Sequence, residues 1–449
     1  MSNKNISKWL LEKLVAAGAE EAEVYTEEGS TLQLELREGK LERISQAQTA
    51  GVGIRTIVNR KLSFVHTSDF GKEALAQTVA KAVALAEQAS PSEFNKLPIE
   101  KPRKIVMEIF DPGLRSIPIK RKVELLKEME TAALKFDPSI RRCEGVSYNE
   151  VSGTQGVSNS NGLSYSYDSS SCYLGVVAIA EREGRMETGY DEWTSCYFKR
   201  LPSPESLGKE AGRRAVSLLG SKPVKTQKVP VVFDSEVGYA LLGALGQALR
   251  GDNVNKKMSY LGDRIGQKVA SGLVTIRDNG RLSLGPESKP VDSEGVSTTD
   301  LALIEKGELK NFVYDYSSAL RAGKKPTGNA VRGSYRELPQ VGFSNYYMEK
   351  GNLKPADIIK STGTGFYVTK LSGWWLGINP TAPDFSSAAS GLWIRNGELA
   401  QPVSGVTIAS TVLDMLLGID AIADNLVFKG GVSCPTFRVK EMALSGSSE

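Results

Sequence analysis

The sequence predicts an α+β protein in which two helix–strands–helix regions precede a larger, β-rich domain. Amphipathic helices flank runs that alternate apolar and polar residues, as half-buried antiparallel strands do, and this order occurs twice before residue 222. After residue 222, glycines, turn signals and short strand-like runs dominate, which is typical of a sandwich or barrel. A chain of 449 residues is long enough for more than one domain.

The first region spans residues 1–90. Apolar residues recur at helical spacing over residues 6–17 and again over residues 72–89. The runs between these helices alternate apolar and polar residues, so we expect antiparallel strands there. The segments EEGS (27–30) and VNRK (58–61) are the candidate hairpin connections.

The second region spans residues 118–221 and repeats the same order of predicted elements. A helical period over residues 119–135 leads into strand-like runs, and another helix follows them. Residues 91–117 contain several prolines without a clear period and are predicted to link the two regions. Sequence identity between the regions is negligible, so a duplication is predicted from the order of elements alone.

The third region, residues 222–449, is the predicted β-rich domain. It opens with a strand and a helix-like stretch, ALLGALGQALRGDN (240–253), which has no ionisable residue before Arg250. The pair Asn396-Gly397 between two strand-like runs is a strong hairpin signal. One late helix is predicted over residues 407–425.

Composition narrows the classes of function. The chain has 56 Lys and Arg against 52 Asp and Glu, a net charge of +4 that is too even for a DNA-binding surface, so we do not expect direct nucleic-acid binding. No run of 18 apolar residues predicts a membrane span, and no signal peptide is evident. The four cysteines are scattered, as in a cytoplasmic protein with reduced thiols.

Histidine is almost absent, and this argues against most hydrolase mechanisms. His66 is the single histidine, and it lies in a strand-like run where a strand-end position is the simplest interpretation. Because histidine is the commonest general base and metal ligand, one chain of this sequence offers no histidine pair for a metal site. Asp384, Ser386 and Ser387 suggest a serine nucleophile, but a loop or helix cap is favoured. Lys370 could activate a serine as the lysine does in Ser-Lys enzymes, but a solvated lysine on a strand is the favoured interpretation.

Two segments hold candidate peptide-binding residues. The turn-rich segment KKPTGNAVRG could bind a peptide backbone or, through its arginine, a substrate carboxylate, or it could only fix a tight loop. The tryptophan pair in LSGWWLGINP has two interpretations: contact with a peptide or a subunit, or packing alone. The candidates are Thr327, Gly328, Asn329, Arg332, Trp374 and Trp375.

Four stretches in order along the chain carry a family resemblance: AGVGIRTI (50–57), a segment ending in TGNAVRG (308–333), a DFS…NGE…PVSG segment (384–409) and PTFRVKEMALSG (435–446). Together they span nearly the whole sequence. The chain resembles the TldD/PmbA family, also called the TldD/TldE peptidases or modulators of DNA gyrase. The resemblance implies a two-subunit peptidase around a closed cavity, in which the TldD-like subunit holds zinc with an HExxxH helix and a cysteine.

Placing Gly251-Asp252 on the same pair in the family puts Leu242 and Gln247 where the two histidines would fall and Gly243 at the glutamate. Leucine and glycine supply no metal ligand, and glutamine is a poor one. Cys434 lies near the family's ligating cysteine but in a different setting. The resemblance therefore implies the PmbA/TldE type of subunit, without a metal or catalytic residue of its own.

The same helix also has an ordinary apolar stripe, so a purely structural helix is weighed against one that lines a shared cavity. The favoured function is a non-catalytic, cytoplasmic subunit that binds short or unfolded peptides, with a TldD-like partner supplying zinc. A stand-alone peptidase and a homodimeric peptide-binding or regulatory protein are the alternatives.

Overall fold

The first half of the chain repeats one unit of a helix, three strands and a helix. A computed structural model of the protein describes residues 3–102, 104–373, 379 and 381–446. The elements of the first half are, in chain order, α1 (Asn3–Ala16), β1 (Glu21–Arg37), β2 (Lys40–Val58), β3 (Lys61–Thr67), α2 (Lys72–Gln88), α3 (Ile119–Leu134), β4 (Ile140–Asn159), β5 (Ser164–Arg182), β6 (Arg185–Ser195) and α4 (Pro204–Ser217).

The six strands of these two units form one continuous antiparallel sheet. Their order is β3-β2-β1-β4-β5-β6, so the central pair β1–β4 joins the units, with Glu23 opposite Asn159 and Leu36 opposite Val146 at its ends. On β1, Val24 packs with residues of α1 and α2, and Leu32 packs with residues of α3 and α4. Strand residues an even number apart share a face, so all four helices cover the same face of the sheet.

The predicted hairpin at EEGS is wrong, because β1 runs straight through residues 27–30. Gly29 lies opposite Gly153 of β4, and a Cβ added to Gly153 would lie 2.7 Å from the Gly29 Cα. The glycine therefore serves a close strand contact and not a turn. The turn follows later, at Glu38 and Gly39, which both have positive φ as a two-residue hairpin requires. The VNRK connection is correct.

The second half is rich in short strands. Its elements are β7 (Gln227–Phe233), α5 (Tyr239–Leu249), α6 (Gly251–Asn255), β8 (Ile276–Asn279), β9 (Asp300–Glu305), β10 (Glu308–Leu309), α7 (Tyr316–Arg321), β11 (Ala330–Val331), β12 (Gln340–Val341), β13 (Tyr346–Met348), α8 (Pro355–Thr362), β14 (Gly365–Ser372), β15 (Asp384–Arg395), β16 (Glu398–Thr411), α9 (Val412–Gly418), β17 (Ile419–Ile422), β18 (Val432–Ser433) and β19 (Phe437–Ser445).

Five of these strands close into a barrel, which confirms the β-rich prediction. Their order is β16-β15-β14-β7-β19, and β19 pairs again with β16 to complete the ring. β17 adds to β19 outside the ring, and a second sheet has the order β10-β9-β8-β13-β18. The predicted Asn396-Gly397 hairpin is confirmed between β15 and β16, where both residues have positive φ.

Helix α5 lies inside the largest core of the molecule. Its leucines at 241, 242, 245 and 249 are fully buried, and they pack with barrel residues such as Phe233 and Phe437, whose rings stack at 4.9 Å. A helix that is apolar on most of its sides must be largely enclosed by protein, and burying each leucine contributes about 1.5–3 kcal/mol.

Two helices of the second half are shorter than predicted. The stretch 240–253 breaks at Arg250, whose backbone is extended because the neighbouring Leu249 carbonyl and Gly251 N–H both hydrogen-bond to Val313. The late helix occupies only Val412–Gly418, because strands β16 and β17 take the residues on either side. None of the helices in the described part of the chain combines the length and apolarity needed to cross a membrane.

Candidate functional site

The three positions that the resemblance assigns to a metal helix do not fit a metal. Leu242 is fully buried among apolar side chains, and Gly243 has no side chain. Gln247 is half-buried, and its backbone carbonyl accepts a hydrogen bond from Asn253 Nδ2 at 2.8 Å. A zinc site takes three or four nitrogen, sulfur or carboxylate ligands, and these positions offer one amide.

Cys434 lies beside the beginning of α5. A Cβ added to Gly238, the residue before the helix, would lie 2.8 Å from the Cys434 Sγ. Burial raises the pKa of the Cys434 thiol far above its usual range, because a buried thiolate would lose its hydration. In the described part of the chain, no three histidine, cysteine, aspartate or glutamate side chains are grouped closely enough to hold a metal ion.

An inter-domain cleft of about 630 Å³ lies between the end of the six-stranded sheet and the barrel, next to Cys434. β6, the start of α5, β14 and the segment before β19 each contribute to its wall. Its lining residues are Tyr190, Glu192, Trp193, Ser235, Glu236, Val237, Tyr239, Lys370, Leu371, Asn425, Val427, Lys429, Gly430, Val432, Ser433 and Cys434.

One ion-pair cluster closes one side of the inter-domain cleft. Lys429 Nζ lies 2.5 Å from Asp191 Oδ1 on β6 and 2.9 Å from Glu236 Oε1 before α5. Burial raises the pKa of Glu236, and the neighbouring Lys429 acts against that rise. The Lys429 backbone carbonyl also accepts from Thr194 N at 3.1 Å, so the cluster ties the six-stranded sheet to the barrel half.

The predicted peptide-binding turn lies between the barrel half and the open face of the six-stranded sheet. Thr327 Oγ1 accepts from Tyr314 N at 2.8 Å, and Gly328 has a φ of +78°. Asn329 is buried, and its amide donates to Asp278 Oδ2 (2.6 Å) and to the Gly342 carbonyl (3.0 Å). These contacts account for the tight loop, and peptide binding by these residues stays a prediction.

Arg332 lies in a buried junction that the sequence did not reveal. Its guanidinium donates to Glu23 on β1, and Glu23 also accepts from Arg55 on β2, through Arg55 Nε at 2.9 Å. Arg55 Nη1 reaches Glu294 at 2.7 Å. Although burial alone would raise it, Arg55 and Arg332 hold the pKa of Glu23 below its usual range. Arg332 also lines a cavity of about 260 Å³, and its Nε has no acceptor in the described part of the chain.

Tyr335 completes this junction. Its ring lies against Gly51 of β2, where an added Cβ would come within 2.2 Å of ring atoms. Its backbone carbonyl lies against Gly53 in the same way, and its N–H donates to Glu27 Oε2 at 2.9 Å. The only signal in the sequence was the run AGVGIRTI, in which two glycines and one arginine interrupt an otherwise apolar strand.

The remaining candidates are dispersed. Ser386 and Ser387 lie within β15, not in a loop or a helix cap, and Ser387 Oγ donates to the carbonyl of Ser372 at 3.2 Å. His66 is exposed near the end of β3, as predicted, with its ring 6.1 Å from that of Tyr335. Trp374 and Trp375 lie outside the described residues.

Comparison with known proteins places this arrangement in a family. Three family models match the chain in order: PmbA/TldA metallopeptidase domain 1 over residues 22–86, the central domain over residues 112–219 and the C-terminal domain over residues 226–446. The chain belongs to the PmbA/TldD family. A curated member of the PmbA/TldD family, the metalloprotease PmbA of Escherichia coli O157:H7, is 29% identical over 440 residues, which cover 97% of this chain and 94% of that protein.

Solved structures named after this family share the fold. A putative modulator of DNA gyrase from Bacteroides thetaiotaomicron superposes with a TM-score of 0.90 at 23% identity, covering 99% of both chains. TldE from Thermococcus kodakarensis superposes with a TM-score of 0.86 at 21% identity, again over 99% of both chains. At these identities the likeness shows the PmbA/TldD fold alone.

Proposed function

We propose that this chain is the non-catalytic, PmbA/TldE-type subunit of a cytoplasmic TldD/TldE-type metallopeptidase. The single observation that carries the proposal is the chemistry of α5: the three positions expected to bind zinc and activate water hold Leu242, Gly243 and Gln247. Zinc, its water and the general base then come from a TldD-like partner. The similarity to TldE, a protein with the same fold, also supports a partner of that kind.

The role of this subunit is to complete the cavity and hold the peptide. β6 is an edge strand of the six-stranded sheet, and three of its residues, Tyr190, Glu192 and Trp193, line the inter-domain cleft. An extended peptide can add to such an edge through main-chain hydrogen bonds. This mode of binding selects short or unfolded peptides, because a cleft of about 630 Å³ has room for an extended segment but not for a folded domain.

The test is hydrolysis of an unfolded peptide by the purified chain, by a TldD-like protein of the same organism and by their mixture, with zinc measured in each. We expect the chain alone to be inert and without stoichiometric zinc, and the mixture to be more active than the TldD-like protein alone. A mixture in which the partner's metal-helix glutamate is replaced by glutamine serves as the control. Zinc binding and hydrolysis by the chain alone would overturn the proposal.

Light scattering on the same samples measures the assembly. A mass equal to one copy of each chain supports the heterodimer. A stable homodimer that does not bind the TldD-like protein, and that binds peptide without hydrolysing it, would contradict the heterodimer. That result would favour the peptide-binding alternative. A C₂ dimer of that kind would use one self-complementary surface.

A further inference from the structure

Two charged side chains of the inter-domain cleft have only neutral partners. Lys370 Nζ on β14 donates to Thr188 Oγ1 at 2.8 Å, and Glu192 on β6 accepts from Tyr173 Oη at 2.9 Å. Among the described residues, no carboxylate lies within 4.0 Å of Lys370 Nζ and no cationic nitrogen within 4.0 Å of the Glu192 carboxylate. The two side chains therefore do not neutralise each other either.

The other charges at the inter-domain cleft are already satisfied. Lys429 is held between the carboxylates of Asp191 and Glu236. Within the described part of the chain, Lys370 and Glu192 are thus the charged residues of the cleft wall that lack an oppositely charged partner.

The rest of the wall is largely aromatic and aliphatic. Tyr190 and Trp193 come from β6, Leu371 from β14 and Val237 from the residues before α5, while Val432 lies on β18 and is 41% exposed. Ligand pockets of proteins have this composition, an apolar wall with a few placed polar groups, and commonly enclose about 300–1,000 Å³. At about 630 Å³ the inter-domain cleft is within that range.

We propose that the inter-domain cleft binds a short zwitterionic peptide with apolar side chains, its carboxylate on Lys370 and its ammonium on Glu192. A peptide with free ends carries both charges, separated by its backbone, whereas an internal segment of a long chain carries neither. The class of ligand rests on the proposed peptidase function. Binding itself needs no partner subunit, because every residue named belongs to this chain. A free apolar amino acid has the same two charges, but they are closer together than in a peptide.

The test is isothermal titration calorimetry on the full chain with three probes: leucyl-phenylalanine, its N-acetyl amide and free phenylalanine. We expect the dipeptide to bind at least about tenfold more tightly than the capped, uncharged form. Lys370→Met and Glu192→Gln should each weaken dipeptide binding about fivefold or more and leave the capped form unchanged. Lys440→Met and Glu398→Gln, at exposed positions on β19 and β16, are the matched controls and should change neither affinity.

A second variant keeps the result interpretable if a charge variant folds poorly. Val432→Trp places a large ring in the inter-domain cleft and keeps both charged residues, and we expect it to block the dipeptide. Equal affinity for the capped and free peptides, or no dipeptide binding at millimolar concentration, would overturn the site. If phenylalanine binds as tightly as the dipeptide, the proposal of a peptide ligand is overturned and the ligand class is a free amino acid. Peptidase failure of the subunit mixture with intact dipeptide binding would count against the proposed function alone.

Discussion

The Glu23 carboxylate joins two guanidiniums that come from distant parts of the chain, Arg55 and Arg332. All three side chains are nearly or fully buried. Burying ions is costly, and their mutual attraction compensates only while every member is present. Because the cluster spans β1, β2 and the turn after β11, it is one of the contacts that join the two halves of the molecule.

Replacing Glu23 with glutamine leaves two buried arginines without their shared anion. We expect Glu23→Gln to lower the free energy of unfolding by about 3–5 kcal/mol, measured by urea denaturation. Arg43→Met, which removes an exposed pair with Glu35 at 3.6 Å on the same sheet, is the control and should cost about 1 kcal/mol or less. Similar losses in both variants would show that the cluster does not stabilise the fold.

The same residue sets a pH dependence. Arg55 and Arg332 depress the pKa of Glu23 below that of the unfolded chain, so its contribution is complete above about pH 4.3 and is lost as pH falls through the folded-state pKa. The stability gap between the native chain and Glu23→Gln should therefore narrow on acidification. A gap that widens with falling pH would contradict the assigned direction.

Helix α5 shows, at the scale of an element, what separates this chain from a metal-binding one. Leu242 is enclosed by the core, while Gln247, five residues later, is half-buried on another side of the helix. An ideal helix rotates about 100° per residue, so two side chains five apart do not converge on one ion without a distortion. α5 is a regular helix over Tyr239–Leu249.

Histidine placed at these two positions should have unequal effects. We expect Leu242→His to lower the free energy of unfolding by about 2–5 kcal/mol, since it removes core packing and buries a polar ring without a partner. Gln247→His is the control and should cost about 1 kcal/mol or less. Urea denaturation measures both. A stable Leu242→His variant would show that α5 lines an open space. That result would favour the alternative interpretation of the sequence, in which this helix lines a shared cavity.

Elements defined by local chemistry were predictable, and those defined by distant contacts were not. Asn396-Gly397 specifies its own turn through two positive φ angles, so the sequence was sufficient there. The Gly29 stretch has similar local chemistry, but its partner is Gly153 on a strand that follows more than a hundred residues later. The buried junction of Glu23 and Arg332 could not be predicted from local sequence for the same reason, because these residues are 309 positions apart.

At the scale of the whole molecule, Tyr335 fastens the barrel half onto the open face of the six-stranded sheet. Tyr335 is 2% exposed; its ring fits because Gly51 has no side chain, and its backbone carbonyl fits because Gly53 has none. The contact lies beside the Glu23 cluster. Both contacts involve residues of AGVGIRTI. This stretch, which carries part of the family resemblance, therefore serves the docking of the two halves.

A side chain at Gly51 should separate the two halves. We expect Gly51→Val to displace the Tyr335 ring and to split thermal unfolding into two calorimetric transitions, because the halves have separate hydrophobic cores. Gly272→Val is the matched control, since its added Cβ meets nothing within 4 Å, and it should keep the native profile. An unchanged profile for Gly51→Val would refute the docking role.

The β1–β4 seam in the middle of the sheet has a consequence for synthesis on the ribosome. β1 emerges about a hundred residues before β4, and at about 5–20 residues per second it waits several seconds with that edge bare. Bare edges invite pairing with neighbouring nascent chains, and charge is a common defence against it. The EEGS segment lies on this edge, so its two glutamates place negative charge along β1 while β4 is still unsynthesised.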